Sequence, residues 1–304
     1  MRKGLAASTL KTYDFTWRTF AMFCFSVGIT LKPVLISNVC AFMCYCATDR
    51  HLKPQYIRGL LAGVQFNVRC SDPGFPSLFA NQSVKLILKG LIKTFPPVLD
   101  RRRPITLSTL RLMLSKLRSG LFSPYIDALL DALFLLAFYA FLRPGEFTTA
   151  SLTFDSNRDV SFSDISFHAS HFSLYLKHSK CGGACSVIAA RIDSQFCPYK
   201  SMIKFLQLRP TSNPLSPLFL ISGNYPLTQR QFNIYLKQVL IKSGLSPLLY
   251  TGHSFRIGAA TSAANQGVSS SSLQQLGRWS SSAFSSYIRP DLNAVLAIQR
   301  SLQP

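Results

Sequence analysis

The chain has 304 residues, of which 48% are hydrophobic and 15% charged, and a formal net charge of +21. That apolar content excludes a disordered tail, and the length suits about two packed domains. So large a basic excess repels itself in a compact state unless a polyanion is the partner, which favours nucleic acid over an anionic membrane surface.

The N-terminal third reads as helical. Ser8 is placed to cap a helix running to Val27 and stopped by Gly28, with Leu10, Tyr13, Phe20, Phe23 and Cys24 at three- and four-residue steps. Ser37 or Asn38 opens a second helix through Val39, Phe42, Met43 and Cys46. A third runs from Pro54 to about Val68, and Asp72–Pro76 breaks the chain. Ser83 starts a fourth, in which Lys85, Lys89 and Lys93 alternate with Val84, Leu86, Ile87, Leu91 and Ile92. Four such helices suit a small bundle over residues 1–98. Residues 99–106 read as an extended linker. Its Arg101, Arg102 and Arg103 are candidate phosphate contacts or a solvated charge run.

Residues 107–304 read as a second domain. Helices are expected at Leu107–Leu117 and Pro124–Leu142. The apolar run Leu129–Leu142, interrupted by Asp131, is too short for a bilayer and suits a buried helix. From Asp159 to Ala190 the pattern changes to strands, with a hairpin turn at Gly182-Gly183. Helices resume at Pro198–Leu208, Thr228–Ser243 and from His253 onward. The predicted class is mainly α with a small antiparallel sheet. No apolar leader with a small-residue cleavage site opens the sequence. The eight cysteines therefore read as free, buried thiols in a reducing compartment. Cys40, Cys44 and Cys46, and Cys181 with Cys185, lack the paired spacing usual for zinc.

A few polar residues stand out. His253 and Arg256 lie three apart, on one face of a helix's first turns, a favourable place for phosphate. Arg143 follows the apolar helix, and Glu146, the only glutamate in the chain, stands three residues on. An arginine at the end of so apolar a segment needs a partner, and Glu146 could hold its guanidinium fork. Trp279 carries an N–H donor, and Tyr287 a phenol, eight residues later. Taken singly, each suits a structural role: a capping histidine, an ion pair, a core tryptophan, a surface tyrosine.

Taken together, they resemble the tyrosine recombinase (phage integrase) superfamily. Phe141-Leu142-Arg143-Pro144-Gly145-Glu146-Phe147 looks like its first arginine box, and Thr251-Gly252-His253-Ser254-Phe255-Arg256 like its His-x-x-Arg box. Leu276-Gly277-Arg278-Trp279 through Tyr287-Ile288-Arg289 looks like its His/Trp and nucleophile boxes. The Arg-Trp-Ser-Ser and Tyr-Ile-Arg variants are most similar to recombinases of eukaryotic DIRS and Crypton elements.

The resemblance implies a SAM-like core-binding domain followed by a catalytic domain. It implies strand exchange on double-stranded DNA through a 3′-phosphotyrosyl link to Tyr287, with Arg143, Arg256 and Trp279 on the phosphate and His253 as base. A hairpin lysine would protonate the leaving oxygen. Lys180 fits best and Lys177 second, because register is not fixed by sequence. Neither metal nor nucleotide cofactor is implied. A homotetramer on DNA is implied, with the short amphipathic segment Asp291–Leu302 docking on a neighbour or on its own domain. Lys85 and Lys89 are further candidate DNA contacts. No membrane partner is expected, because no long basic amphipathic helix stands out. A eukaryotic element would place the protein in the nucleus, a prokaryotic source in the cytoplasm. The first helix begins so near Met1 that a longer parent protein is also compatible. The competing functions are a type IB topoisomerase-like relaxation and a DNA-binding protein without turnover.

Overall fold

A computed structural model describes residues 2–96, 100–179, 183–221, 224–289, 296 and 299–302. The chain divides into two compact units, Met1–Asp100 and Arg101–Pro304.

The first unit is built from α1 (Ala7–Ser26), α2 (Ile36–Thr48), α3 (Pro54–Ser71) and α4 (Gln82–Thr94). Their apolar stripes meet in one core, with Phe20, Phe42, Met43, Ile57, Leu61 and Leu78 wholly buried. The predicted faces of α1 and α2 are found, whereas Leu86 and Ile92 of α4 are exposed, and the caps differ. Helix α1 starts after Ala6 with no side-chain cap, so Ser8 lies within its first turn. Likewise α2 starts after Leu35, ahead of Ser37 and Asn38. In α4 the capping oxygen belongs to Asn81, which accepts from the Val84 N–H at 3.3 Å, where Ser83 was expected to start the helix. Ser, Thr and Asn offer equivalent capping chemistry, so tertiary packing chooses among neighbours.

The larger unit contains α5 (Leu107–Arg118), α6 (Pro124–Tyr139), a three-stranded antiparallel sheet, α7 (Pro198–Leu208), α8 (Gln229–Lys242), α9 (His253–Asn265) and α10 (Ser270–Leu276). The strands β1 (Ile165–Phe167), β2 (His171–Ser179) and β3 (Gly183–Ala190) lie in sequence order. Helix α6 is the spine, buried from Asp127 to Phe138. Asp131, the one interruption of its apolar run, is held by a fork from Arg118, with Nε at 2.7 Å from Oδ1 and Nη2 at 3.1 Å from Oδ2.

Helix α6 stops at Tyr139, three residues before the predicted end. Leu142 N–H returns to Ala137 O and Phe141 N–H to Phe138 O, with Phe141 left-handed at φ 53°. This is a Schellman turn with phenylalanine where glycine is usual, a strained choice costing about 1 kcal/mol.

The linker expected at 99–106 is extended where described but is not free. Arg103 N–H donates to Leu249 O at 2.7 Å and Ile105 N–H to Ser254 O at 2.9 Å, and Ile105 is wholly buried. A Cβ on Gly258 would lie 1.8 Å from the Ile105 carbonyl oxygen, so glycine at 258 is what lets this strap lie flat on α9. Among the described residues no helix is long and apolar enough to cross a membrane, and no three His, Cys, Asp or Glu side chains gather as metal ligands.

Candidate active site

Three chain turns meet at the C-terminal end of α6. The last carbonyls of a helix lack intrahelical partners and carry the negative end of its dipole. Here arginines from elsewhere supply the donors. Arg256 Nη1 donates to Phe141 O, and Arg278 Nη1 donates to Ala140 O at 3.1 Å. Helix α10 ends in the same way. Trp279 N–H returns to Gln274 O and Arg278 N–H to Gln275 O, with Arg278 left-handed at φ 54°. Arg256 Nη2 donates to Gly277 O in that second turn. One guanidinium therefore fastens two helix C-termini together.

Glycine stands one position before the left-handed residue for a different reason. A Cβ on Gly277 would lie 1.6 Å from Cζ3 of Trp279, whose ring folds back over it. That ring lies beneath Arg256, whose Cζ is 4.1 Å from the indole centroid. Phe141, Phe284 and Tyr287 flank the indole at centroid distances of 6.2, 6.2 and 5.2 Å. The Trp279 Nε1 is buried and hydrogen-bonds to nothing among the described residues. The indole also forms a floor for Arg256, which its sequence context did not signal.

Glu146 joins the arginines. Pro144–Glu146 forms one 3-10 turn, and the Glu146 carboxylate is 4% exposed. Its Oε2 accepts from the Arg143 backbone N–H at 2.9 Å and from Arg278 Nη2 at 2.8 Å, and its Oε1 from Arg143 Nη1 at 3.1 Å. Two guanidinium groups thus share one carboxylate, beside the third, Arg256. Burial, then the neighbouring Arg143, push the Arg256 pKa down to about 10, and Glu146 opposes the shift. Arg256 therefore remains charged at neutral pH, and the cluster keeps a net positive charge. The side chains of Arg143 and Arg278 are 12% and 15% exposed, whereas Arg256 is wholly covered.

The remaining predicted residues fall into three groups. His253 heads α9 one turn before Arg256. A Cβ on Gly252 would lie 2.4 Å from Pro144 Cγ, so this helix start packs against the Arg143–Glu146 turn. Tyr287 ends a 3-10 turn, Ser282–Tyr287, with its ring centroid 5.6 Å from Arg256 Cζ. Lys180 lies outside the described residues, as do residues 291–295, 297 and 298 of the predicted C-terminal helix. Lys177, the second choice, is committed elsewhere. Its ammonium is 2.5 Å from Asp164 Oδ2, 2.8 Å from Ser161 Oγ and 3.2 Å from Asp159 O.

Of the candidate DNA contacts, Arg101, Arg102 and Arg103 are exposed in the larger unit, and Lys85 and Lys89 on α4 of the first. The latter two line a groove between α3 and α4 together with Arg58, Lys93 and Phe79. Sequence reasoning missed Arg58, which lies on α3, and Arg278. The signal for Arg278 was its place in the Gly277-Arg278-Trp279 run, where the indole drew the assignment.

Residues 126–291 match the phage integrase family model, more than half of the chain. The chain belongs to the phage integrase family. No curated protein matches the sequence. Solved structures agree in fold. The integrase of transposon Tn1549, in complex with transposon right-end DNA, has a TM-score of 0.66 at 14% identity, covering 99% of this chain and 95% of that one. The XerH site-specific recombinase bound to palindromic difH substrate gives 0.61 at 15% identity, covering 89% and 74%. A lambda integrase dimer bound to a COC′ core site gives 0.59 at 17% identity, covering 94% and 73%. The matched segment includes Arg143, Arg256 and the Tyr287 turn.

Proposed function

We propose that this chain cuts and rejoins double-stranded DNA by transesterification, as a tyrosine recombinase of a mobile element related to the DIRS and Crypton kinds. The observation that carries the reading is the Tyr287 ring lying 5.6 Å from the Arg256 guanidinium, beside a cluster of three arginines and one carboxylate. A phosphodiester is a monoanion whose transition state gathers more charge on its equatorial oxygens. Preorganised guanidinium groups around a buried carboxylate are suited to stabilise it.

In this mechanism the partly exposed edges of Arg143 and Arg278 meet the phosphate, and Arg256 adds charge from beneath. The Tyr287 oxygen attacks phosphorus, forming a 3′-phosphotyrosyl bond and releasing a 5′-hydroxyl. Ionising a phenol of pKa near 10 at pH 7 costs about 4 kcal/mol, so a base is useful, and His253 has that role. The leaving oxygen takes its proton from Lys180. Bond energy is kept in the covalent link, so the reverse attack by a new 5′-hydroxyl reseals the strand. The assembly is a tetramer on DNA, and a eukaryotic element source puts it in the nucleus.

The test is a nicked duplex that traps the covalent intermediate. A protease-sensitive DNA adduct is expected to form in EDTA, and its complete absence over a range of duplex sequences would sink the reading. The lysines provide a finer check. Lys180→Ala should slow cleavage by about 10²–10⁴-fold, and a 5′-thiolate leaving group should restore it, since a thiolate needs no proton. Lys177→Ala should loosen the sheet, and the thiolate should not restore its rate. Rescue of Lys177→Ala alone would reverse the assignment. Binding should also weaken steeply with salt, with log affinity falling by about 0.9 per phosphate contact per decade of salt. Replacing Arg101, Arg102 and Arg103 with alanine should flatten that slope, and an unchanged slope would remove them from the interface.

A further inference from the structure

Helical threonines commonly return their hydroxyl to the carbonyl one turn back. Among the described residues five do so: Thr12, Thr16, Thr19, Thr48 and Thr94 bond to Ser8, Thr12, Phe15, Cys44 and Gly90 at 2.9–3.1 Å. Thr261, on α9, does something else. Its Oγ1 donates to the Tyr287 carbonyl at 3.3 Å and accepts from the Arg289 N–H at 3.0 Å. Thr261 itself is 3% exposed, so its hydroxyl is held away from water. One hydroxyl thus holds the backbone on both sides of Ile288, directly after the tyrosine.

The geometry points to Thr261 as a positioning residue for the nucleophile. The inference rests on the reading of Tyr287 given above. Helix α9 carries His253, Arg256 and Thr261 along a single rigid element. The helix that supplies the buried guanidinium therefore also fixes the backbone from which the attacking oxygen hangs. The 3-10 turn Ser282–Tyr287 buries none of its residues fully, and its Phe284 and Tyr287 rings rest on the Trp279 indole, so the Thr261 bonds add the backbone anchor that ring packing does not give. An in-line attack tolerates small errors in distance poorly, and a displacement of about 1 Å can cost on the order of 10²-fold in rate. A hydroxyl bonding two backbone groups at once restricts both translation and rotation of the segment. Serine can make the same two bonds, whereas valine has the shape of threonine and makes neither.

The experiment compares Thr261→Val and Thr261→Ser with the wild type by single-turnover adduct formation on a nicked duplex at saturating DNA. The Val variant is expected to react about tenfold or more slowly, with full final amplitude and unchanged half-saturating DNA, and the Ser variant within about threefold of wild type. A lower amplitude at unchanged rate would mean misfolded protein and would overturn the assignment, as would a wild-type rate in Val or an equal loss in both variants. Hydrogen exchange of the Arg289 amide supplies a readout independent of chemistry. It should speed up about tenfold in Val and not in Ser. Unchanged exchange in Val would end the clamp even if the rate fell. A wild type that forms no adduct would instead reject the recombinase reading, while the exchange data still judge the clamp.

Discussion

Replacing Tyr287 with phenylalanine is expected to abolish the covalent DNA adduct, a loss on the order of 10⁴-fold or more. The substitution removes one oxygen and keeps the ring that packs 5.2 Å from Trp279 and 5.6 Å from Arg256, so the fold should be unchanged. Duplex affinity should also be retained, because binding draws on many basic side chains. The assay is denaturing electrophoresis of labelled nicked duplex incubated in EDTA, with and without protease digestion. An adduct persisting in Tyr287→Phe would assign the nucleophile to another residue. Loss of binding together with the adduct would show that the phenol serves recognition and not attack.

Replacing Glu146 with alanine should destabilise the larger unit by about 3–5 kcal/mol, the range for removing one partner of a buried ion pair. Three contacts go at once: the Arg143 backbone N–H, the Arg143 guanidinium and the Arg278 guanidinium. What remains is three positive groups around the C-terminal carbonyls of α6 and α10. Burial lowers the Arg256 pKa most, and Arg143 and Arg278 push it down further, so their repulsion would go unopposed. Urea unfolding is the measurement. A Trp17→Phe background leaves Trp279, the only other tryptophan, as the reporter for this unit. Sulfate should restore stability to Glu146→Ala more than it adds to the wild type, because an anion can occupy the place of the lost carboxylate. A variant within about 1 kcal/mol of wild type, as for a surface pair, would show that the carboxylate does not hold the cluster together.

These expectations mix what the residues announced with what only coordinates supply. The helical faces of α1 and α2 were legible, since Phe20, Phe23 and Cys24 on the one and Val39, Phe42, Met43 and Cys46 on the other recur at three- and four-residue steps and do form the core. Their starting residues were not, because several neighbouring side chains offer equivalent caps. The end of α6 was misplaced because the turn at Phe141 uses a left-handed phenylalanine, and sequence rules look for glycine there. The same cause hid Arg278: it occupies the left-handed position after α10, while the adjacent Gly277 makes room for the indole. Arg143, Glu146, Arg256 and Tyr287 were legible as a set, but the bond from Arg278 to the carboxylate that also holds Arg143 spans 132 residues and leaves no local trace. The choice between hairpin lysines depended on register. β2 has an irregularity between Leu176 and Ser179, a feature no alternation of side chains records.

The strap at Arg103–Ile105 has a mechanical corollary. Its two backbone bonds end on Leu249 and Ser254, one on each side of His253, and its Ile105 carbonyl rests on Gly258 a turn further along. A pull on the polypeptide entering this unit therefore loads the start of α9 before any other helix. The entry segment works as a lever whose short arm is the imidazole's own turn, and a methyl group at 258 would act as a wedge that unseats it.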